Sequence, residues 1–234
     1  MRERTVRGET HPLDSVVWRA LNGRQAQFSE GDDRARRYMA DVAPFAGLRD
    51  LSPASFASLV PLVPRGDQVA MFTVEPLPPT EQLEIVLAKP VHQMIATRVA
   101  GPMRPREAER LDASAAPEML ELVDASRPGP FAARTHELGD YLGIRVEGRL
   151  IAMTGERMKI EGFTEVSAVC THPDQRGHGY AHDLVSLVTQ AVLDRGEEPF
   201  LHVFSDNAPA ITLYQRLGYT IRRTMHVTIL AARS

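Results

Sequence analysis

The segment at 169–181 holds the residues of this 234-residue chain whose types and spacing best support chemistry. Its run Arg-Gly-His-Gly at 176–179 stands between a strand-like stretch and a helix-like stretch. The first turn of a helix presents unpaired backbone N–H groups and a partial positive charge, which together bind phosphate. Glycine lets the backbone approach an anion closely, and Arg176 adds a charged donor. The spacing therefore predicts a phosphate-binding loop.

The same residues exclude two better-known phosphate loops. A Walker A loop requires Gly-Lys-Ser or Gly-Lys-Thr, and neither occurs in the chain. A dinucleotide fingerprint requires a third glycine where His182 stands.

A second group of candidate residues lies downstream, at 207–219, where the chain reads Asn-Ala-Pro-Ala-Ile-Thr-Leu-Tyr-Gln-Arg-Leu-Gly-Tyr. Asn207 is a good helix cap, and Pro209 suits the first helical turn. Tyr214 follows Asn207 by seven residues. Two helical turns separate them, so both side chains are expected on one helix face.

These two segments, in this order, resemble motifs A and B of the GNAT superfamily, the acyl-CoA-dependent N-acetyltransferases. The first matches through Val169, Pro173 and the glycine loop, and the second matches through Asn207 and the residues up to Tyr219. The resemblance covers about residues 105–232. The sequence departs from the family at Asp174, where Gln or Arg is usual. This departure removes one side-chain partner of the phosphate and leaves the backbone N–H groups of the glycine loop in place.

The resemblance implies that acetyl-CoA is a cosubstrate. Its pantetheine arm would lie between two parallel strands that splay apart, its pyrophosphate would lie on the glycine loop, and its thioester would approach the second helix. The residues that the resemblance assigns to acetyl-CoA are Val169, Cys170, Thr171, Arg176, Gly177, His178, Gly179, Tyr180, Ala181, Asn207 and Tyr214.

The resemblance also implies two catalytic residues. Tyr214 would protonate the leaving thiolate, and Glu165 would accept a proton from the amine. A carboxylate beside an apolar cleft is expected to have a raised pKa, as a base needs. Backbone N–H groups of Val169 or Thr171 would bind the oxyanion. Two other proton acceptors stay open, His202 and a water chain, and Glu165 could instead face solvent or pair with an arginine.

The elements that position these residues are readable in the second half of the chain. Along the strand predicted at 163–171, Glu165, Val169 and Thr171 should share one face. The expected order is helix 116–125, strands 141–146, 150–158 and 163–171, helix 179–195, strand 200–204, helix 207–217, and strands 219–223 and 225–230.

The first half of the chain is less clear. It predicts strands at 68–74 and 82–88 and a solvated helix face at 32–37. The two prolines and the glycine at 100–105 indicate a linker. We therefore expect an α/β domain at 1–104, either a degenerate copy of the second domain or a cap, with the copy favoured. The domain at 105–234 should have an α/β fold with a mixed, largely antiparallel sheet, a splayed parallel strand pair and flanking helices.

Composition narrows the class of protein. The net charge of −3 gives no argument for nucleic acid or a membrane surface as partner. No apolar run reaches the ~18 residues of a membrane span, and the N-terminus lacks the apolar core of a secretory signal. Cys170 is the single cysteine, so no cysteine-based metal site is expected, and we predict no metal. Only Lys89 and Lys159 among the 27 basic residues are lysine, a bias that suggests a bacterial, cytoplasmic protein.

Together these patterns predict an N-acetyltransferase that moves an acetyl group from acetyl-CoA to a primary amine. The acceptor is a small-molecule amine or a peptide amine, and a homodimer is compatible with the sequence. Residues 129–131 and 134–137 either shape the acceptor pocket or form a plain loop. The alternatives are a non-catalytic acyl-CoA-binding sensor and a nucleotide-binding module.

Overall fold

A computed structural model describes residues 11–104 and 106–233, so Pro105 of the predicted linker lies outside the described residues. The first segment, 11–104, contains α1 (Val16–Leu21), β1 (Ser29–Gly31), β2 (Ala35–Tyr38), β3 (Ala46–Leu48), α2 (Pro53–Leu59), β4 (Gln68–Thr73) and β5 (Leu83–Ile95). The second segment, 106–233, contains β6 (Glu109–Leu111), α3 (Ala116–Ser126), β7 (Tyr141–Val146), β8 (Arg149–Ile160), β9 (Phe163–Thr171), α4 (Tyr180–Asp194), β10 (Glu198–Phe204), α5 (Ala208–Leu217) and β11 (Thr220–Ala232).

The main sheet has eight strands in the order β4-β11-β5-β10-β9-β8-β7-β6. Only β9 and β10 pair in parallel in this sheet as described, and the other neighbours are antiparallel. A smaller sheet holds β1, β2 and β3. This architecture confirms the predicted mixed, mostly antiparallel sheet with flanking helices.

The large sheet crosses the predicted domain boundary at residue 104. Its strands β4 and β5 belong to the first segment, yet β4 pairs with β11, and β5 pairs with both β10 and β11 of the second segment. The two segments therefore share one sheet. That the first segment is a degenerate copy of the second stays a prediction.

Helices α3 and α4 cover opposite faces of the sheet. Met153 of β8 packs in the cluster that includes Met119 of α3, whereas its neighbour Ala152 packs with Leu184 of α4. Successive residues of a strand point to opposite faces, so the two helices lie on opposite sides. The strand β9, which carries most of the candidate site, is thus covered on both faces.

Two predictions of secondary structure are wrong. The end of the chain forms one long strand, β11, and not the two strands predicted at 219–223 and 225–230, because β5 supplies a continuous partner along it. The charged run at 32–37 enters strand β2 and is not a helix face. Within it Arg37 is 3% exposed, because its guanidinium donates to Asp67 and to the Leu62 carbonyl.

Candidate active site

A gap opens where the parallel strands β9 and β10 separate. Their ladder ends at the pair Glu165 and Phe200. Beyond that point β10 pairs with β5, and β9 pairs with β8. The predicted splay of these two strands is therefore confirmed, and one backbone edge of β9 faces the gap.

The free edge of β9 presents hydrogen-bond donors to the gap. The His172 N–H donates to the Ile151 carbonyl of β8 at 2.8 Å. Backbone N–H groups of successive residues point to opposite edges of a strand. The Thr171 N–H, and the Val169 N–H two residues before it, consequently point away from β8 toward the gap. These are the two donors expected to serve an oxyanion.

A β-bulge at Ala168 changes the faces of β9. Ala168 has φ 51°, and the pairing with β8 shifts by one residue between Ser167 and Cys170. A bulge redirects the side chains that follow it. Cys170 therefore points to the α3 side, like Ser167, and Thr171 points to the other side. The predicted common face of Glu165 and Thr171 is wrong for this reason.

The glycine loop after β9 has the conformation that its sequence predicts. Gly177 and Gly179 have φ values of 81° and 85°, in the left-handed region that favours glycine. Gly179 is the residue before α4, and no side chain caps that helix end. The space around the missing Cβ of Gly177 is open. The first N–H groups of α4 are therefore approachable from this loop.

A buried carboxylate fixes the start of α4. Asp183 is 1% exposed and accepts hydrogen bonds from the Met103 N–H and from Arg106 Nε, both at 2.7 Å. Burial alone raises the pKa of Asp183, but the Arg106 hydrogen bond and the backbone donors lower it overall. The Arg106 guanidinium also lies 4.1 Å from the centre of the Tyr180 ring. The linker between the two segments thus braces the glycine loop.

A cavity of about 820 Å³ connects the glycine loop with the gap. Three exposed arginines line it, namely Arg127, Arg176 and Arg216. Of the residues expected to hold acetyl-CoA, those that line the cavity are Val169, Cys170, Thr171, Arg176, Gly177, Gly179, Tyr180, Ala181, Asn207 and Tyr214. His178 does not line it, and its Nδ1 lies 3.0 Å from the Arg176 carbonyl oxygen.

Helix α5 brings Asn207 and Tyr214 to the cavity wall. The Asn207 side chain accepts a hydrogen bond from the Ala210 N–H, which confirms it as the helix cap. The Tyr214 ring is 8% exposed and packs with Val185 and Val203. No described residue forms a hydrogen bond with its hydroxyl. Burial raises the pKa of Tyr214 to about 12, so the hydroxyl keeps its proton at neutral pH.

Glu165 is buried in an ion pair, and it does not line the cavity. Its two carboxylate oxygens accept from Nε and Nη2 of Arg157, both at 2.8 Å, and one of them lies 2.8 Å from His202 Nδ1. Burial alone raises the pKa of Glu165, but the Arg157 charge and these hydrogen bonds lower it to about 2. The expectation of a raised pKa is therefore wrong, because an arginine from β8 neutralises the carboxylate.

The neighbours of His202 determine its hydrogen-bonding roles. The Gln93 side-chain oxygen accepts from Arg222 Nε, so the Gln93 amide nitrogen is the donor that reaches both the Leu13 carbonyl and His202 Nε2. His202 Nε2 consequently accepts, and Nδ1–H donates to Glu165. This network gives each ring nitrogen of His202 a hydrogen-bond partner.

The end of the cavity opposite the glycine loop is apolar and is built largely by the first segment. Phe72 stacks on His202 with ring centres 4.2 Å apart, and Phe45 stacks on Phe72 at 5.5 Å. Residues 129–131 also line the cavity. Residues 134–137 do not line it, since Arg134 pairs with Asp41 and Glu137.

Sequence reasoning missed several of these residues. Arg157, Gln93 and Phe72 lie outside the two motifs, and no local pattern marks them. The one available signal was a charged Arg157 within the predicted strand 150–158, because a charge that becomes buried needs a partner.

No group of three or more His, Cys, Asp or Glu side chains suited to a metal ion occurs within 11–104 and 106–233. In the same ranges no helix is long and apolar enough to span a membrane.

Comparisons with known proteins agree with this geometry. A sequence model of the FR47-like protein family matches residues 141–227. The crystal structure of a GNAT-family protein from Novosphingobium aromaticivorans is 36% identical, with a TM-score of 0.89 over 96% of this chain and 100% of that one. A GCN5-related N-acetyltransferase from Kribbella flavida is 17% identical, with a TM-score of 0.66 over 94% of this chain and 95% of that one, which is a likeness of fold.

The curated relatives match over a short part of their length. A mycothiol acetyltransferase from Catenulispora acidiphila is 39% identical over 59 residues, which are 25% of this chain and 19% of that protein. Another from Corynebacterium jeikeium is 38% identical over 61 residues, 26% of this chain and 18% of that protein. The chain therefore spans less than one fifth of each of these two relatives.

Proposed function

This chain belongs to the GNAT family of acetyltransferases, and from that premise we propose that it transfers the acetyl group of acetyl-CoA to a primary amine by direct attack on the thioester. One observation carries the proposal. A single cavity joins a helix N-terminus with left-handed glycines to the gap between β9 and β10 and to Tyr214. That path has the charge, shape and donors that a phosphorylated thioester requires.

The residues present suit acetyl-CoA at each point of the path. The amides from Arg176 to Ala181, with the exposed guanidinium groups of Arg127 and Arg216, would bind the phosphates. The free edge of β9 at 169–171 would hydrogen-bond the pantetheine amides. Asn207 and Tyr214 would lie at the thioester end.

The chemistry needs one proton donor and one proton acceptor. The amine nitrogen attacks the thioester carbon, the C–S bond breaks, and the leaving thiolate takes the Tyr214 proton. The Thr171 or Val169 N–H would hold the oxyanion. The proton lost by the amine passes to water in the cavity, and an equivalent proton returns from water to the Tyr214 phenolate. Glu165 would act as a positioning residue through His202. Direct base action by Glu165 or His202 is the competing assignment.

The acceptor class, small molecule or peptide, is part of this proposal, as are the cytoplasmic location and a homodimer. The rival assignment is a sensor that binds acyl-CoA without turnover.

Thiol release tests the proposal directly. The protein with acetyl-CoA should release CoA thiol only when a reactive amine is added, and CoA should raise its thermal midpoint. At a CoA concentration of ~100 times Kd the stabilisation is about 2.7 kcal/mol. A thermal shift without thiol release from any amine would favour the sensor, and no shift with millimolar CoA would contradict both.

A further inference from the structure

The apolar end of the cavity has a composition that restricts the amine. Its wall is formed by side chains from the loop before β3 and from strands β4, β5 and β11, namely Phe45, Ala70, Phe72, Leu87, Val91, Val227 and Ile229. All of them are hydrocarbon, and they lie beyond the point where β9 and β10 separate. An acceptor that enters from this side would bury its body against carbon.

No carboxylate lines the cavity among the residues that the structure describes. The buried acid Glu165, which contacts the lining residues Arg157 and His202, already accepts two hydrogen bonds from Arg157, one from His202 and one from the Met158 N–H. The charges that do line the wall are positive, since Arg157 is among the lining residues. A second ammonium group on the acceptor would therefore be buried without a counter-ion.

From these observations, and resting on the proposed function, we infer that the acceptor is an apolar monoamine: one reactive nitrogen on a hydrocarbon or aromatic body, without a second positive charge. The reactive nitrogen reaches the thioester uncharged. A second nitrogen that stayed charged would lose its hydration with no partner, which costs far more than the burial of the hydrocarbon returns. Polyamines and aminoglycosides are thus rejected by the wall, and not by the size of the cavity.

A matched pair of amines tests this class. n-Hexylamine and hexamethylenediamine have the same carbon chain and differ in one terminal amino group. In a thiol-release assay with acetyl-CoA, kcat/KM should be at least about tenfold higher for n-hexylamine than for hexamethylenediamine. The free-energy cost of burying an unpaired charge is much larger than the difference that a tenfold change in kcat/KM requires. Equal use of the two amines, or preference for the diamine, overturns the inference.

A variant can reverse the preference if the wall causes it. Ile229 lies half-buried on β11, opposite Ala70 and Leu87. Ile229→Asp should raise kcat/KM for the diamine and lower it for n-hexylamine. Ile229→Asn introduces a side chain of the size of aspartate that is polar but uncharged. It should lower kcat/KM for n-hexylamine without raising kcat/KM for the diamine. If kcat/KM for the diamine rises in both variants, or in neither, the inference that the apolar wall sets the amine preference is overturned.

Two further arms separate the causes of failure. If the apolar end holds a long acyl chain instead, hexanoyl-CoA will be used faster than acetyl-CoA and n-hexylamine will have no advantage, which overturns the inference. Turnover of a peptide amine or an aminoglycoside, with none of n-hexylamine, also overturns it and leaves the proposed function standing. Acetyl-CoA binding without turnover of any amine is instead a failure of the proposed function.

Discussion

Tyr214 combines two properties that acid catalysis requires. Its ring is held in the core by α4 and β10, and no described residue offers its hydroxyl a hydrogen bond. Burial raises the pKa of Tyr214 to about 12, and the hydroxyl is protonated at neutral pH. A thiolate formed nearby can therefore take a proton from the Tyr214 hydroxyl, which the packing of the ring holds in place.

Tyr214→Phe should lower kcat by ~10²–10⁴ and leave the Kd of acetyl-CoA nearly unchanged, since only the hydroxyl is lost. Steady-state kinetics and calorimetric titration measure the two quantities. Tyr219→Phe is the matched control, because its ring packs 6.0 Å from that of Tyr214 and its hydroxyl is satisfied by Thr189 at 2.7 Å. Equal activity losses in both variants would mean that Tyr214 acts through packing.

Glu165→Gln should destabilise the protein by about 3–5 kcal/mol at neutral pH, because it leaves the Arg157 guanidinium buried without its counter-charge. Urea unfolding measures this loss. The double variant Arg157→Met with Glu165→Gln removes both charges and should recover part of it. A single variant as stable as the parent would contradict the buried ion pair.

These residues show where sequence reasoning ends. The positions of Tyr214 and Asn207 follow from a local helix pattern, and the structure places both at the cavity. The environment of Glu165 depends on Arg157, His202 and Gln93, which lie 8, 37 and 72 residues away along the chain. A motif carries no record of such partners, so the predicted direction of the Glu165 pKa is wrong.

At the scale of elements, the strand β9, the glycine loop and α4 form one unit that the sequence specifies locally. The bounds of β9 match the prediction residue for residue, and α4 begins one residue after Gly179. The signals that specify it all lie within this segment: the alternation of side chains along the strand, the glycines with left-handed φ, and the apolar stripe of the helix. The bulge at Ala168 has no such signal, because alanine seldom has positive φ and nothing else marks the position.

Gly177→Val should weaken CoA binding strongly, because the added side chain strains the loop and covers the amides of α4. Gly148→Val is a matched control: Gly148 has φ 79° and open space, in the turn between β7 and β8 away from the cavity. Both variants should lose a similar stability, about 1–3 kcal/mol, for the strained backbone. Calorimetric titration should show weaker CoA binding only for Gly177→Val. Unchanged affinity in the folded variant would show that the phosphates bind elsewhere.

The whole molecule is built around a sheet to which both segments contribute. The first segment covers the face of β8–β10 that carries Glu165, through α1 and the loop with Phe45. Its strand β5 occupies the place between β10 and β11. The sequence predicts both β4 and β5 as strands, but the pairing of β5 joins residues more than 100 positions apart, and periodicity does not encode pairing.

The buried carboxylate of Glu165, on the sheet face that the first segment covers, also makes the free energy of unfolding of the whole molecule sensitive to acid. The pKa of Glu165 is about 2 in the folded protein, below the 4.5 of a free glutamate side chain. As the pH falls, Glu165 is therefore protonated in the unfolded chain before it is protonated in the folded protein. The contribution of the ionised Glu165 to the free energy of unfolding is present above pH 4.5 and is lost between pH 4.5 and about 2.

Within that window the parent should lose on the order of 3 kcal/mol more unfolding free energy than Glu165→Gln, which has no carboxyl to protonate. The stability difference between them, large at neutral pH, should thus narrow as the pH falls. Urea unfolding at a series of pH values measures it, with Glu161→Gln as the exposed control, whose difference from the parent should stay small and nearly constant. A gap between the parent and Glu165→Gln that does not change with pH would mean that the ion pair, with Arg157 on β8 and His202 on β10, does not hold the folded carboxylate ionised.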